Sequence, residues 1–191
     1  MPEQVFSNTS RGPRISRTAG TPKLAAAVKE FHAAVARLRD LDTTTKELVR
    51  LRSAQVHDCR TCRAGREIDA VEAGVDQSMT AKVERYERSD LPERHKAALR
   101  TVDWLITRPD PADEAVIVPA RAELGDAELA DLVLNVSKNS FQKVSVSLGL
   151  DAIDPAVLNA DGVAFYHYRD DGTRTDFSPE AEDAARARAQ H

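Results

Sequence analysis

Residues 47–62 read ELVRLRSAQVHDCRTC, and the interpretation of the whole chain starts from this stretch. It contains the only two cysteines of the sequence, Cys59 and Cys62, and Glu47 lies twelve residues before the first of them. Two residues three positions apart on a helix share a face and lie about one turn apart. The two thiols can therefore close into a disulfide and reopen, so their spacing is compatible with redox chemistry.

The residues before the cysteines predict a helix over 43–56 that is buried on both sides. At about 100° per residue, Glu47 shares an apolar arc with Leu48, whereas Val49 lies on the opposite side of the helix. A carboxylate on such an arc would be partly desolvated. The alternative is a capping role, because Thr44-x-x-Glu47 resembles a capping box that closes the N-terminus of a helix.

A second helix is predicted to follow directly, with Asp58 as its cap and Gly74 as its C-terminal stop. On a continuous helix of this length Cys59, Cys62 and Arg66 share one arc. We therefore expect Arg66 to face the same space as the thiols. A nearby positive charge and a helix N-terminus both lower the pKa of a thiol and favour the reactive thiolate.

The other periodic segments also predict helices. They are expected over residues 24–38, over 76–86, from about 90–93 to Pro109 and Pro111, from near Pro119, and from a cap at Asp126 to Gly149. No segment before Gly149 alternates with period two. The predicted fold class is therefore all-α.

The composition along the chain divides it into three parts. Residues 1–21 have few apolar side chains and are expected to form a flexible arm or to lie on a partner subunit. Residues 22–160 form the helical domain, and residues 161–191 form a tail that could hold a short strand near 162–168 and a helix near 178–189. The tail aromatics are expected to pack on the body or on a neighbouring subunit: Phe165, Tyr166 and Tyr168.

Charge and hydropathy exclude several classes of function. The net charge is -4, with basic residues scattered among acidic ones, so neither a nucleic-acid footprint nor a polybasic membrane patch is indicated. No apolar run approaches ~18 residues, and no hydrophobic signal core is present. We expect a cytoplasmic protein that binds neither nucleic acid nor membrane, and in that compartment a CxxC is more often catalytic, redox-active or metal-binding than architectural.

Other interpretations of Cys59 and Cys62 remain open. A structural zinc site needs four ligands, and no suitably spaced second pair is present. A thioredoxin-type site needs a strand before the motif, and none is predicted there. The two cysteines could also be reduced and buried, packing as small apolar side chains.

The motifs resemble the carboxymuconolactone decarboxylase family, and specifically its alkyl hydroperoxidase D-like branch. The resemblance rests on ELVRL at 47–51, on Cys59-x-x-Cys62, on Ala70-x-x-x-Gly74 and on KVSVSLG at 143–149. By pattern it covers about residues 24–149. It implies an all-helical bundle of helical hairpins, a homo-oligomer and thiol peroxidase activity.

The resemblance also implies roles for individual residues. One cysteine is oxidised by a hydroperoxide and the other resolves it as a disulfide, while the glutamate at Glu47 and a histidine relay protons. The position of that histidine is Arg66 here, and arginine cannot act as an acid or base. His57 is a candidate replacement, although a histidine in a linker can also simply be exposed.

The leading hypothesis is a hydroperoxide reductase in which Cys62 attacks, Cys59 resolves, Arg66 stabilises the thiolate and Glu47 handles protons. No metal, haem or flavin cofactor is implied, and the reductant is expected to be a thiol protein or a small thiol. One alternative is a lactone decarboxylase or related lyase, as the broader family name suggests. Another is a non-catalytic oligomer whose disulfide acts as a redox sensor.

Overall fold

Helices make up most of the chain in a computed structural model that describes residues 22–109 and 114–188. The helices are α1 (Pro22–Ala36), α2 (Thr43–Val56), α3 (Arg60–Ala64), α4 (Ile68–Glu72), α5 (Gln77–Glu84), α6 (Glu93–Thr107), α7 (Glu114–Asn139), α8 (Phe141–Ser147) and α9 (Ala181–Arg188). The predicted all-α fold class is confirmed. None of the helices in these two ranges has both the length and the apolar character needed to cross a bilayer. The predicted arm, residues 1–21, lies outside the described residues.

Helix α2 begins at a different cap from the one that the sequence suggested. The carboxylate of Asp42 accepts a hydrogen bond from the backbone N–H of Thr45 at 2.8 Å, so Asp42 is the N-cap. The third helical residue is then Thr45, so Glu47 lies two residues too far along the helix to close a capping box. The predicted capping box of Thr44 and Glu47 is therefore wrong. Glu47 lies in the helix interior instead.

The expected burial of α2 on both sides is observed. Leu48 and Leu51 pack in one apolar cluster with residues of α5 and α6, including Leu99. Val49 packs in a second cluster with residues of α6 and α7, including Leu132. Burying an aliphatic side chain of this size contributes about 1.5–3 kcal/mol. This central helix is thus anchored on two faces, which fixes the positions of the residues at its C-terminal end.

Helix α7 starts earlier than predicted and contains a kink. It begins at Glu114 rather than near Pro119, and its backbone leaves the helical region at Gly125, where φ is 74° and ψ is 175°. A proline inside a helix removes only one backbone hydrogen-bond donor. A helix can therefore contain a proline when the turns on either side of the proline pack well. Here those turns bury Ala120 and Leu124.

The CxxC segment departs most from the sequence-based prediction. The continuous helix expected from Asp58 is wrong, because α3 is followed by strand β1 (Gly65–Glu67) and then by α4. Asp58 is not the cap either: it has a positive φ of 52°, and Cys59 takes the N-cap position of α3. The three-residue strand β1 thus forms where a helix was predicted, while the all-α class is unchanged.

Strand β1 forms because the tail supplies its partner. It pairs in parallel with β2 (Ala164–Tyr166), with Gly65 opposite Ala164. The tail then turns back through antiparallel bridges, and at Gly172 (φ +79°) its backbone approaches α1 so closely that a Cβ would lie 2.1 Å from the carbonyl oxygen of Ala33. The tail thus contacts both the CxxC segment and the first helix. The division of the chain at residues 21 and 160 stays a prediction.

Candidate active site

Cys59 and Cys62 form a disulfide at the C-terminal end of α2. Cys59 is 1% exposed and Cys62 is partly exposed. The sulfur of Cys59 accepts a hydrogen bond from the backbone N–H of Cys62 at 3.3 Å. Both residues line a cavity of about 890 Å³. The pair is thus oxidised and adjoins a space large enough for a small organic molecule.

The walls of this large cavity come from distant parts of the chain. Helix α1, the end of α7, α8 and the tail all contribute, and the walls carry both apolar and cationic side chains. The cations on its walls are Lys29, Arg50, Lys138, Arg169 and Arg174. The first turn of α3 is held to one wall by Asp151, whose carboxylate accepts from the Arg60 guanidinium at 3.0 and 3.2 Å.

Glu47 forms a buried ion pair with Arg50, a residue that the sequence analysis did not single out. Arg50 donates from Nε to one carboxylate oxygen at 2.6 Å and from Nη2 to the other at 2.7 Å. Burial alone would lower the pKa of Arg50, but the Glu47 carboxylate outweighs it and the pKa rises. Glu47 is 1% exposed. An opposite charge three residues along a buried helix was the available sequence signal.

Arg50 also holds the backbone of the CxxC segment. Its Nη1 donates to the carbonyl oxygen of Cys62 at 2.5 Å, and its Nη2 donates to that of Gly65 at 2.6 Å. One guanidinium therefore ties Glu47 to the end of α3 and the start of β1. Arg50 lines both the large cavity and a smaller cavity of about 260 Å³, whereas Glu47 lines only the smaller one.

Glu67 is a second partly buried carboxyl that the sequence analysis missed. It lies on β1 and lines the smaller cavity together with Glu47 and Arg50. Burial, and after it the charge of the neighbouring Glu47 carboxylate, raise the pKa of Glu67 to about 7. No sequence pattern pointed to Glu67, because a helix was expected where the strand forms.

Arg66 and His57 line neither of these two cavities. Arg66 is buried, and its Nη1 donates to the carbonyl oxygens of Arg63 and Gly65 at 2.6 and 2.7 Å. Burial and the charge of Arg50 lower the pKa of Arg66. The continuous helix that was expected to place Arg66 beside the thiols does not form, because β1 interrupts it.

His57 is buried rather than exposed, at the C-cap of α2. Its pKa is lowered by burial and then by the charge of Lys143. Its Nε2 has no hydrogen-bond partner within residues 22–109 and 114–188. His57 thus lies close to Cys59 in sequence but outside the cavity walls that the cysteines share.

Tail aromatics cover the ion pair. Tyr166 of β2 is 2% exposed, and the guanidinium carbon of Arg50 lies 6.0 Å from the centre of its ring. Burial raises the pKa of Tyr166 well above its usual value. Its ring meets those of Tyr168 and Phe177 edge-on, with centroids 5.6 and 5.7 Å away.

In the parts of the chain that the structure describes, no group of three His, Cys, Asp or Glu side chains could hold a metal ion.

Comparisons with known proteins agree with this architecture. Residues 22–87 match the carboxymuconolactone decarboxylase family. Two uncharacterized proteins of Mycobacterium tuberculosis, from strains CDC 1551 and H37Rv, are each 43% identical over 142 residues, which is 74% of this chain and 50% of the relative. The chain thus spans about half the length of these curated relatives.

A solved structure shares the fold. It is a crystal structure of an Agrobacterium tumefaciens protein of unknown function, suggested to be an antioxidant defence protein AhpD. The TM-score is 0.61 at 18% identity, over 71% of this chain and 94% of that chain. At this identity the likeness concerns the fold alone. The match over residues 22–87 confirms the resemblance to the carboxymuconolactone decarboxylase family that the motifs indicated.

Proposed function

We propose that the protein is a thiol-dependent hydroperoxide reductase. The observation that carries the proposal is the Cys59–Cys62 disulfide on the wall of a cavity of about 890 Å³. The family match over residues 22–87 and an AhpD-like fold favour an enzyme of antioxidant or related chemistry. The cavity has room for an organic hydroperoxide as well as for hydrogen peroxide.

The reaction divides into three balanced steps. The Cys62 thiolate attacks the outer peroxide oxygen, the O–O bond breaks, and the alkoxide takes a proton to leave as alcohol while Cys62 becomes a sulfenic acid. The Cys59 thiol then displaces water and forms the disulfide. A thiol protein or small thiol supplies two electrons and two protons to restore both thiols.

The exposure of the two sulfurs supports this assignment of roles. Cys62 is partly exposed, whereas Cys59 is 1% exposed, and an attacking thiol must be reached by its substrate. The Glu47–Arg50 pair fixes the backbone carbonyl of Cys62 and so helps to hold the thiols in position. Proton handling by Glu47, a cytoplasmic location and a homo-oligomeric state are further parts of the proposal. The thiolate support expected of Arg66 is not part of it, because Arg66 lines neither cavity.

The test is a single-turnover oxidation of the reduced protein by one equivalent of an organic hydroperoxide, followed by mass spectrometry of the cysteines. We expect rapid formation of the disulfide, a trapped sulfenic acid on Cys62 in Cys59→Ser, and no reaction in Cys62→Ser. Inert thiols would favour the lyase alternative. Slow oxidation without turnover by a dithiol would favour a redox sensor.

A further inference from the structure

The two residues between the cysteines, Arg60 and Thr61, are both bound to Asp151, which follows α8 and is 5% exposed. The Asp151 carboxylate accepts from Nε, Nη2 and the backbone N–H of Arg60 at 3.0, 3.2 and 3.3 Å. The Asp151 carbonyl oxygen accepts from the hydroxyl of Thr61 at 2.6 Å and from its backbone N–H at 3.2 Å. One residue from a distant part of the chain therefore holds the centre of the CxxC motif.

The two cysteines at the ends of the motif are bound to α2. The backbone N–H of Cys59 donates to the carbonyl oxygen of Ala54 at 3.0 Å, and Arg50 donates to the carbonyl oxygen of Cys62. Each of the four residues 59–62 thus has a hydrogen bond to a residue outside the motif. These hydrogen bonds involve no sulfur atom, so they do not depend on the disulfide.

Contacts of this kind act mainly on the reduced protein. In the oxidised protein the disulfide itself keeps the two ends of the motif together. In the reduced protein an unrestrained motif would gain conformational freedom, and that freedom would have to be lost again each time the disulfide closed. Hydrogen bonds that hold the motif from outside therefore favour the disulfide over the two thiols.

We propose that Asp151 is a positioning residue that keeps Cys59 and Cys62 adjacent in the reduced protein and so favours closure of the disulfide. It acts through Arg60 and Thr61. When the disulfide closes, the two thiols give up two protons and two electrons to an oxidant, which is reduced. The inference does not require this oxidant to be a hydroperoxide, so it can be tested separately from the proposed function.

The charges of Arg60 and Asp151 offer a different explanation, which makes opposite predictions. A cation near a thiol favours the thiolate and with it the reduced protein. By charge alone, Arg60→Met should therefore favour the disulfide, whereas Asp151→Ala should favour the thiols. Loss of positioning predicts instead that both variants favour the thiols.

The experiment measures the equilibrium between the full-length protein and mixtures of reduced and oxidised dithiothreitol at pH 7. In this exchange the S–S bond of oxidised dithiothreitol breaks as that of the protein forms. The fraction of disulfide is read by mass spectrometry after the free thiols are alkylated. Arg60→Met tests the contact at a site where the side chain is 34% exposed, so its replacement spares the core.

Asp103→Ala is the matched control. Asp103 accepts from Nε and Nη2 of Arg52 at 2.7 and 2.8 Å, a paired contact like that of Asp151 with Arg60, but it joins α2 to α6 and not to the CxxC motif. Its removal should lower the stability of the fold and leave the thiol–disulfide equilibrium within about twofold of the wild type, which is less than one hydrogen bond is typically worth.

We expect the equilibrium constant for disulfide formation to fall about tenfold in Asp151→Ala, the effect of leaving roughly one backbone residue unordered. Arg60→Met should lower it by at least about threefold, through the loss of its side-chain hydrogen bonds. A tenfold fall makes the reduction potential about 30 mV less negative.

Shifts of opposite sign in the two variants would assign the effect to charge and overturn the role of Asp151. Unchanged equilibria, or an equal shift in Asp103→Ala, would also overturn it, because the contact would then serve folding alone. The single-turnover test with hydroperoxide is independent of this measurement. Thiols that are inert to hydroperoxide but shift as expected with dithiothreitol would overturn the proposed function and support the role of Asp151.

Discussion

Arg50 is the residue on which the site depends most at the scale of single side chains. It is 9% exposed, and it joins the Glu47 carboxylate to the backbone carbonyls of Cys62 and Gly65. A buried charge is tolerated only when it is paired and hydrogen-bonded. The Glu47–Arg50 ion pair therefore restrains the CxxC segment. Loss of one of its two members should destabilise the folded protein.

Removal of only one member of this pair should be more costly than removal of both. Glu47→Gln leaves the Arg50 charge buried and uncompensated, which typically costs about 3–5 kcal/mol of unfolding free energy. The double variant Glu47→Gln with Arg50→Met removes that charge and should be the more stable of the two, measured by urea unfolding. A double variant that is less stable than Glu47→Gln would indicate that the carbonyl contacts of Arg50 matter more than its charge pairing.

Glu67 should make the protein less stable as the pH rises. Its pKa is raised from 4.5 to about 7 on folding, so between these values the folded state binds more protons than the unfolded state. The stabilisation is present below the unfolded pKa and is lost as the pH rises through about 7, with a total of about 3 kcal/mol. Urea unfolding at a series of pH values should show this loss in the wild type and not in Glu67→Gln. Parallel curves for the two proteins would contradict the raised pKa.

At the scale of elements, the site is a junction between α2, the β1–β2 pair and α1. The tail reaches α1 where Gly172 passes the carbonyl of Ala33, and the exposed Arg37 side chain donates to the carbonyl of Asp171. The same tail places Tyr166 over the ion pair, and it places Tyr166 and Tyr168 on the wall of the large cavity. Loosening this contact should open the cavity without touching the cysteines.

Gly172→Ala should detach the tail from α1. The new Cβ would lie 2.1 Å from the Ala33 carbonyl oxygen, and the backbone φ of +79° already disfavours any side chain. Gly162→Ala is the matched control, because its φ is +72° but nothing lies within 4 Å. The control should cost about 1–2 kcal/mol for its backbone alone, and Gly172→Ala about 1–3 kcal/mol more for the clash. Equal unfolding free energies for the two variants would show that the contact with α1 is dispensable.

At the scale of the whole molecule, apolar side chains remain uncovered on the outer helices. The exposed fractions are 41% for Leu134 on α7, 51% for Val144 on α8 and 62% for Leu24 on α1. Exposed apolar side chains mark an interface between protein chains where they form one contiguous patch. These residues support the proposal that the protein is a homo-oligomer.

Light scattering at micromolar concentration should therefore give a mass that is a multiple of one subunit. Val144→Lys should shift the distribution towards the single subunit, because an ammonium group in an apolar interface is costly to desolvate. Val71→Lys, at a site that is 37% exposed on α4, is the control and should leave the mass unchanged. A wild-type mass equal to one subunit would contradict the proposed assembly.

The helical class, the extent of α2 and the position of the cysteines just beyond its end follow from the sequence without a structure. These features are local: the period of the apolar residues over 43–56 predicts a helix buried on two sides, and Leu48 and Val49 pack on opposite clusters as expected. The family motifs are also contiguous stretches of sequence, so they were readable without a structure.

The charged side chains that meet at the site, by contrast, are set by contacts between distant parts of the chain. Residues near Arg66 have a helical pattern, but Gly65–Glu67 is a strand because Ala164–Tyr166 pairs with it from the far end of the chain. This pairing, which no local pattern reveals, directs Arg66 away from the cavities and brings Glu67 to Glu47 and Arg50. Side-chain direction follows from backbone conformation, and here a distant partner set that conformation.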